Sequence, residues 1–422
     1  MSSDADSPPQ PATVGSAMAG HPGTEQEEQD LPLAGLRVLD LGHVFAGPYA
    51  AFLLAMAGAD VIKVEPPNGD MSRRRGRDGD YPFRALNGCK RGIVLNLKTE
   101  RGRELLLQLA EHADVLVENF APSVMPRLGL GPDVFLRRNP RLVYASGTGF
   151  GRSGPYAESR ALDLTIQAMS GVMSATGEKG GPPLKAGVPA ADFMAGAHLY
   201  GGILSALVGR ARTGRGRVVE VSMLEALFAT LLPSAGHAYQ TNSAPERSGN
   251  RHVADSYVPF DAFRAADGWV TIVCATDEHW LKLTDAMQRP DLRADGELRR
   301  LEGRIARIDE VTEAVAQWTA QRTRAEVTAA CQQAQVAAAP LRDVMEVLAD
   351  PHLHARGFFT SVPAPGGPVL LPNSPIRYDG SPLRALTPAP ALGEHTDHVL
   401  GELCGLDETA LKELHQDGVI GP

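Results

Sequence analysis

From residue 33 onward, short apolar runs alternate with longer stretches of helical period. Residues 36–41 (LRVLDL) have the length and character of a buried parallel strand. The loop 42–48 (GHVFAGP) follows, then a helical stretch to Ala57. Pro48 suits the first helical turn, where its missing N–H costs nothing, and Gly58 suits the stop. Asp60–Glu65 (DVIKVE) predicts the next strand and completes a βαβ unit. The pattern recurs with a helix over 100–112, whose Leu105, Leu106 and Leu109 share a face, and with strands over 114–118 and 141–146. Such alternation predicts an α/β fold with a mostly parallel sheet covered on both faces. Right-handed crossovers then bring the strand C-termini, and the loops after them, to one edge.

Further along, 193–211 predicts a helix containing Gly196, Gly201 and Gly202. Each glycine costs a helix interior about 1 kcal/mol relative to alanine, so this helix is expected to pack closely on another backbone or a neighbouring subunit. Residues 217–221 predict a strand, and 240–251 turn polar. A second region opens at 257–275 with two strands around an Ala-Asp-Gly turn and continues helical to about 335. Residues 358–385 are rich in Pro and Gly, and a helix pair over 396–404 and 407–416 closes the chain. The expected organisation is a tail over 1–30, a large domain over 31–225, a linker over 226–250 and a small domain over 251–335. A second linker over 336–355 then leads to a segment, 356–422, that returns to the large domain.

Length fits this division, because single cores stop growing near roughly 250–300 residues and the chain has 422. A net charge of -9 argues against a nucleic-acid binder, so an anionic ligand must be held by a local cluster of Lys and Arg. No uninterrupted apolar run reaches the roughly 18–20 residues of a membrane span. The first 30 residues carry six acids and no Lys or Arg, unlike a secretory or mitochondrial leader, and with four prolines they read as a disordered tail of a cytoplasmic protein. Cys89, Cys274, Cys331 and Cys404 are far apart, without CxxC or Cys/His spacing, so neither a disulfide framework nor a metal site is expected.

Five features carry candidate chemistry. Asp192 follows a Gly/Pro-rich loop and opens the helix predicted at 193. It suits an N-cap, where Asp is among the preferred residues, and it equally suits a nucleophile that a helix N-terminus keeps ionised. Cys89-Lys90-Arg91-Gly92, with Leu95-Asn96-Leu97-Lys98 and the upstream run 73–77 (RRRGR), reads either as a phosphate-binding cluster or as a solvated face. Glu118-Asn119-Phe120, with Arg127 nearby, ends a strand at the ligand-bearing edge. The glycine-rich segment from Thr148 to Pro155 either wraps a ligand or makes a plain turn. His43 is either structural or an acid–base group. The first loop lacks GxGxxG and GxxxxGK[ST], so neither a dinucleotide site nor a P-loop is supported.

Taken in order, LAGLRVLDLGHVFAGP (33–48), GADVIKVEPP (58–67), KRGIVLNLK (90–98), ADVLVENFAP (113–122) and RLVYASGTGFGRSGPY (141–156) form one series. QAMSGVMSATG (167–177), VPAADFMAG (188–196), TGRGRVVEVSMLEA (213–226) and GEHTDHVL (393–400) extend it. The series resembles the class III CoA-transferases, the family of formyl-CoA transferase, carnitine CoA-transferase and the bile-acid-inducible proteins. The resemblance implies a Rossmann-like large domain with a smaller α+β domain, assembled as an interlocked-ring homodimer. It implies acyl-CoA and carboxylic acid substrates, no permanently bound cofactor, and Asp192 as the covalent nucleophile of a ping-pong exchange. The CoA contacts it implies fall at Val44, Phe45, Ala46, Leu95, Asn96, Lys98, Asn119, Phe120 and Arg127. The sequence departs from the family at Pro66, where an Arg is common, and at Thr148, where a basic residue is common. An α-methylacyl-CoA racemase of the same superfamily needs a His where Leu162 stands, and leucine carries no proton. A non-catalytic CoA-binding subunit would be expected to lose the Asp. The chain lacks the GGGG loop of the formyl-CoA/oxalate branch, and succinyl-CoA with a dicarboxylic acid is the expected pair.

Overall fold

The apolar runs of the first half become β1 (Arg37–Asp40), β2 (Asp60–Glu65), β3 (Lys90–Val94), β4 (Val115–Glu118) and β5 (Val143–Thr148), and β6 (Val218–Ser222) joins them. The computed structural model describes residues 30–74, 80–364, 366–379, 381–382 and 384–421. Residues 1–29 of the tail expected over 1–30, and Arg75, Gly76 and Arg77, lie outside the described residues. The six strands lie in the order β3-β2-β1-β4-β5-β6, and the β1–β2, β1–β4, β2–β3 and β4–β5 pairs are parallel. Valine, isoleucine and leucine fill both faces, as buried parallel strands require. The order reverses between β1 and β4, and open α/β sheets bind ligands outside the strand C-termini at such a reversal.

α1 (Ala46–Met56) and α2 (Glu100–Glu111) supply cover for this sheet. α1 is buried along almost its whole length, and α2 starts at a cap where Thr99 Oγ1 accepts the Gly102 N–H at 3.0 Å. α2 turns Leu105, Leu106 and Leu109 into one core cluster with β2, β3 and the helices Thr396–Cys404 and Glu408–Gln416. The terminal GEHTDHVL motif closes the free edge of β3. The Gly92 N–H donates to His395 Nδ1 at 3.1 Å, and the Val94 N–H donates to Thr396 Oγ1 at 3.1 Å.

Two compact units partition the chain. One runs to Arg152 and takes in Gly196–Val221 and Ala349 onward. The other comprises Ser153–Ala195 and Ser222–Leu348. The second unit holds α3 (Asp163–Met169) and an antiparallel sheet, β7 (Phe260–Ala265), β8 (Gly268–Val273) and β9 (Ala337–Pro340). Helices Asp277–Ala286, Ile308–Ala320 and Arg324–Gln333 bury Trp280, Val315 and Val327 against that sheet's core.

The helix predicted over 193–211 is α4 (Ala190–Thr213), three residues longer at its start. Pro189 tolerates the position before a helix, and Ala190 and Ala191 favour it, so winding begins there. α4 is also long and apolar enough to cross a membrane by length and composition, although Asp192, Arg210 and Arg212 lie within it. In this structure Leu199, Ile203 and Ala206 join the core cluster on β1, β4 and β5, as a core helix does. Of its glycines, Gly196 makes the close approach: a Cβ there would stand 2.7 Å from the Ala46 carbonyl oxygen. A Cβ on Gly202 would stand 2.8 Å from Val219, whereas one on Gly201 would meet nothing within 4 Å.

Candidate active site

The loop between β1 and α1 is held by buried groups on three other segments. Gly42 and Gly47 lie face to face, where a Cβ on either would come within 2.8 Å of the other's Cα, so the G-x-x-x-x-G spacing serves to close the loop on itself. Between them Val44 adopts φ +64°, a left-handed conformation that costs a β-branched residue about 1–3 kcal/mol. Asn119, at the end of β4, grips the residue before it: its Oδ1 accepts the His43 N–H at 2.7 Å and its Nδ2 donates to the His43 carbonyl at 3.0 Å. The Asn119 amide thus shapes the loop. Phe120 packs edge-on against the His43 ring at 5.0 Å. Beneath Asn119, burial pushes the Glu118 carboxyl up, against the opposing contacts of Ser146 and the Phe120 N–H.

Two ion pairs lie under this loop with essentially no solvent exposure. Lys63 pairs with Asp70 at 3.0 Å, and Lys90 pairs with Asp40 at 2.8 Å. Asp40 Oδ1 accepts the Gly42 N–H at 2.8 Å, and Lys90 Nζ also donates to the Pro48 carbonyl at 3.1 Å and to Asn87 Oδ1 at 3.0 Å. Burial, reinforced by the Lys63 charge, pushes the Lys90 ammonium down to about 8 although Asp40 opposes it. Burial alone would raise the Asp70 carboxyl. His43 (Nδ1 at 3.7 Å), the Lys63 charge and the Ser72 N–H and hydroxyl outweigh it and hold Asp70 well below the usual carboxylate range. A depressed carboxyl contributes stability above its unfolded value near 3.9, and that contribution is lost as pH falls below it. The stability difference between wild type and Asp70→Asn, from urea unfolding, should therefore be largest at about pH 5 and shrink toward about pH 3.

Several cations of the basic set read over 73–98 are engaged by acids of the fold. Lys90 is consumed by Asp40, Arg91 pairs with Asp60 at 2.6 Å and Glu402 at 2.8 Å, and Arg73 pairs with Glu65 at 2.6 Å. Of the described cations nominated there and nearby, Arg74, Lys98 and Arg127 stand exposed. Leu95 points its side chain into the core, and the Asn96 amide reaches the Gly418 carbonyl at 3.1 Å while its Oδ1 accepts the Lys98 N–H at 3.2 Å. The loops carrying Val44–Ala46, Leu95–Lys98 and Asn119–Phe120 each follow the C-terminus of a parallel strand, so the topology assembles them along one sheet edge. Thr148 closes a turn by accepting the Gly151 N–H at 2.9 Å, which favours the plain-turn reading of that segment.

In the other unit, Asp192 is the third residue of α4 and not its cap. The cap is supplied from 28 residues away. Asp163 Oδ1 accepts the Ala191 N–H at 2.8 Å and the Asp192 N–H at 3.2 Å, the two amides that an N-cap side chain normally satisfies. Gln167, one turn on from Asp163 and fully buried, donates to Asp163 Oδ2 at 2.6 Å and to the Val188 carbonyl at 3.1 Å, and accepts the Ala186 N–H at 2.8 Å. Pro189, at the cap position, has no N–H, so Asp192 cannot close a capping box with it. Asp192 is half-buried in the first turn, where the helix dipole favours its carboxylate form. The Asp163–Gln167 clamp was not anticipated from sequence. Its i, i+4 spacing on a short helix is a weak signal.

Residues 33–396 match the family model described as CoA-transferase family III. The chain belongs to that family. The transferase is 36% identical over 404 residues to the succinyl-CoA–L-malate CoA-transferase beta subunit of Chloroflexus aurantiacus, covering 92% of this chain and 98% of that one. It is 38% identical over 385 residues to the succinyl-CoA:mesaconate CoA-transferase of Haloarcula hispanica, covering 88% and 96%. A crystal structure of a CAIB/BAIF family protein from Brucella suis superimposes with a TM-score of 0.79 at 34% identity, over 88% of the transferase and 99% of that chain. These matches establish the transferase as an enzyme of acyl-CoA chemistry with a mixed α/β fold. Among the described residues no group of His, Cys, Asp and Glu is arranged to hold a metal ion.

Proposed function

We propose that the transferase moves CoA from an acyl-CoA donor to a carboxylic acid through a thioester on Asp192, with succinyl-CoA as donor and a dicarboxylic acid as acceptor. The observation that carries this reading is the division of labour at α4. Asp163 caps the helix, and the Asp192 carboxylate stands in the first turn, where the helix dipole favours its charged form. In the first half-reaction an Asp192 oxygen attacks the acyl carbonyl carbon, the C–S bond breaks, and CoA leaves as thiolate from a mixed anhydride. The thiolate attacks the Asp192 carbonyl carbon of that anhydride, releasing the donor acid and leaving aspartyl-CoA. The acceptor carboxylate then repeats the sequence in reverse and departs as the new thioester. No net proton is consumed, and the covalent intermediate splits one difficult exchange into easier steps.

Val44, Phe45, Ala46, Leu95, Asn96, Lys98, Asn119, Phe120 and Arg127 are the proposed CoA contacts, with the buried members acting through backbone groups or loop shape. An interlocked homodimer is part of the proposal. It is supported by large apolar side chains standing exposed in the second unit, among them Leu162 at 74%, Leu232 at 68% and Tyr239 at 92%. The donor is suggested by the names of the Chloroflexus and Haloarcula relatives, both of which specify succinyl-CoA. Incubation with succinyl-CoA and a panel of dicarboxylic acids, followed by chromatography, should give one new CoA thioester with an equal amount of succinate. No transfer to any acid, with solvent exchange of the α-proton of a methylacyl-CoA, would instead support the racemase chemistry.

A further inference from the structure

We propose that the buried Lys63–Asp70 pair is a positioning device that holds Val44 in its left-handed conformation and thereby shapes the backbone surface CoA meets. The inference rests on the reading that the loop at Val44–Ala46 contacts CoA. Lys63 Nζ donates to the Gly42 carbonyl, and Asp70 takes the Val44 N–H between its two oxygens, each at 3.4 Å. One ion pair thus holds a peptide group on either side of His43, while Asn119 holds the N–H and carbonyl of His43 itself. The pair is in turn fixed from behind: Ser72 donates its N–H at 2.8 Å and its hydroxyl at 2.7 Å to Asp70 Oδ1, and Glu65 Oε2 accepts the Asp70 N–H at 2.9 Å. Lys63, Asp70, Ser72 and Glu65 are all buried, whereas Asn119 is partly exposed.

Charge is a poor way to stabilise such an interior. Desolvating two ions commonly cancels their attraction, and apolar residues of similar volume often serve as well or better. What apolar residues cannot do is accept an N–H and donate to a carbonyl within one strained turn. Backbone held in a rarely populated region persists only where its surroundings over-determine it, and such positions gather at ligand sites. Preorganising a loop raises affinity by removing the cost of ordering it at each binding event.

The test compares full-length wild type, Lys63→Met/Asp70→Leu, Asp70→Asn and Phe45→Asp, using CoA itself as the titrant in calorimetry. The double variant replaces both charges by apolar volume. It should weaken CoA binding about tenfold and raise KM for acyl-CoA similarly, with kcat changed less than about threefold. Amide exchange of the peptide spanning residues 41–49 should accelerate while the thermal midpoint stays close to wild type. Asp70→Asn keeps an oxygen for Val44 and should lose affinity by a smaller factor, which preserves the test if the double variant does not fold. Wild-type CoA affinity in both charge variants, with Phe45→Asp binding poorly, would overturn the positioning role and leave the loop's contact with CoA standing. Wild-type affinity in Phe45→Asp would remove that contact, and the inference with it.

Discussion

Asp192→Asn should abolish CoA transfer while the protein remains folded. A carboxamide oxygen is too weak a nucleophile to form an anhydride, and removal of the nucleophile in covalent enzymes costs about 10^4-fold or more in kcat. Stability should fall by no more than about 1 kcal/mol, because the substitution removes a favourable charge–dipole contact in the first turn but leaves the Asp163 cap in place. Were Asp192 only a capping group, the variant would retain catalysis at nearly wild-type stability, because Asn caps a helix about as well as Asp. The transfer assay decides between them, and thermal unfolding measured on the same preparation checks that the variant is folded.

The largest stability effect is expected from Lys90→Ala, at about 3–5 kcal/mol in urea unfolding. Lys90 is buried and satisfied by Asp40 Oδ2, Asn87 Oδ1 and the Pro48 carbonyl. Truncation leaves Asp40, itself without solvent exposure, with the Gly42 N–H as its remaining direct partner and Lys63 as its nearest compensating charge. A second variant, Asp40→Leu/Lys90→Met, should recover most of the loss, because it removes the stranded carboxylate together with its partner. A solvated phosphate ligand at the same position would behave differently, with truncation changing stability by no more than about 0.5 kcal/mol.

The sheet was legible because parallel strands buried on both faces leave continuous apolar runs: Asp60–Glu65 forms as its pattern predicts, and residues 36–41 contract only to Arg37–Asp40. The last strand of the first series was misplaced by two residues. Arg141 stays exposed and Leu142 closes a turn on Asn139, while Thr148 extends the strand by holding Gly151. The site was less legible, because its decisive contacts join residues far apart in the chain. Asp40 and Lys63 sit inside otherwise apolar strands, and that breach of the pattern was the available sign of a buried ionic cluster. Lys90 and Arg91, adjacent and basic, looked like one surface feature, yet successive residues of a strand point to opposite faces and each meets its own acid. The clamp from Asp163 and Gln167 to residues 186–192 crosses a loop whose course no periodicity reports. Asn119 follows β4 at the edge expected for it, but only the folded loop shows that its amide also holds the His43 backbone.

The covalent step can be trapped directly. The purified transferase would be mixed with succinyl-CoA, quenched with neutral hydroxylamine, digested and mapped by mass spectrometry. A hydroxamate confined to the peptide containing Asp192, absent without donor and absent in Asp192→Asn, is the predicted result. Efficient turnover with no label on that peptide, or a label on another carboxylate, would contradict Asp192 as the residue that carries CoA.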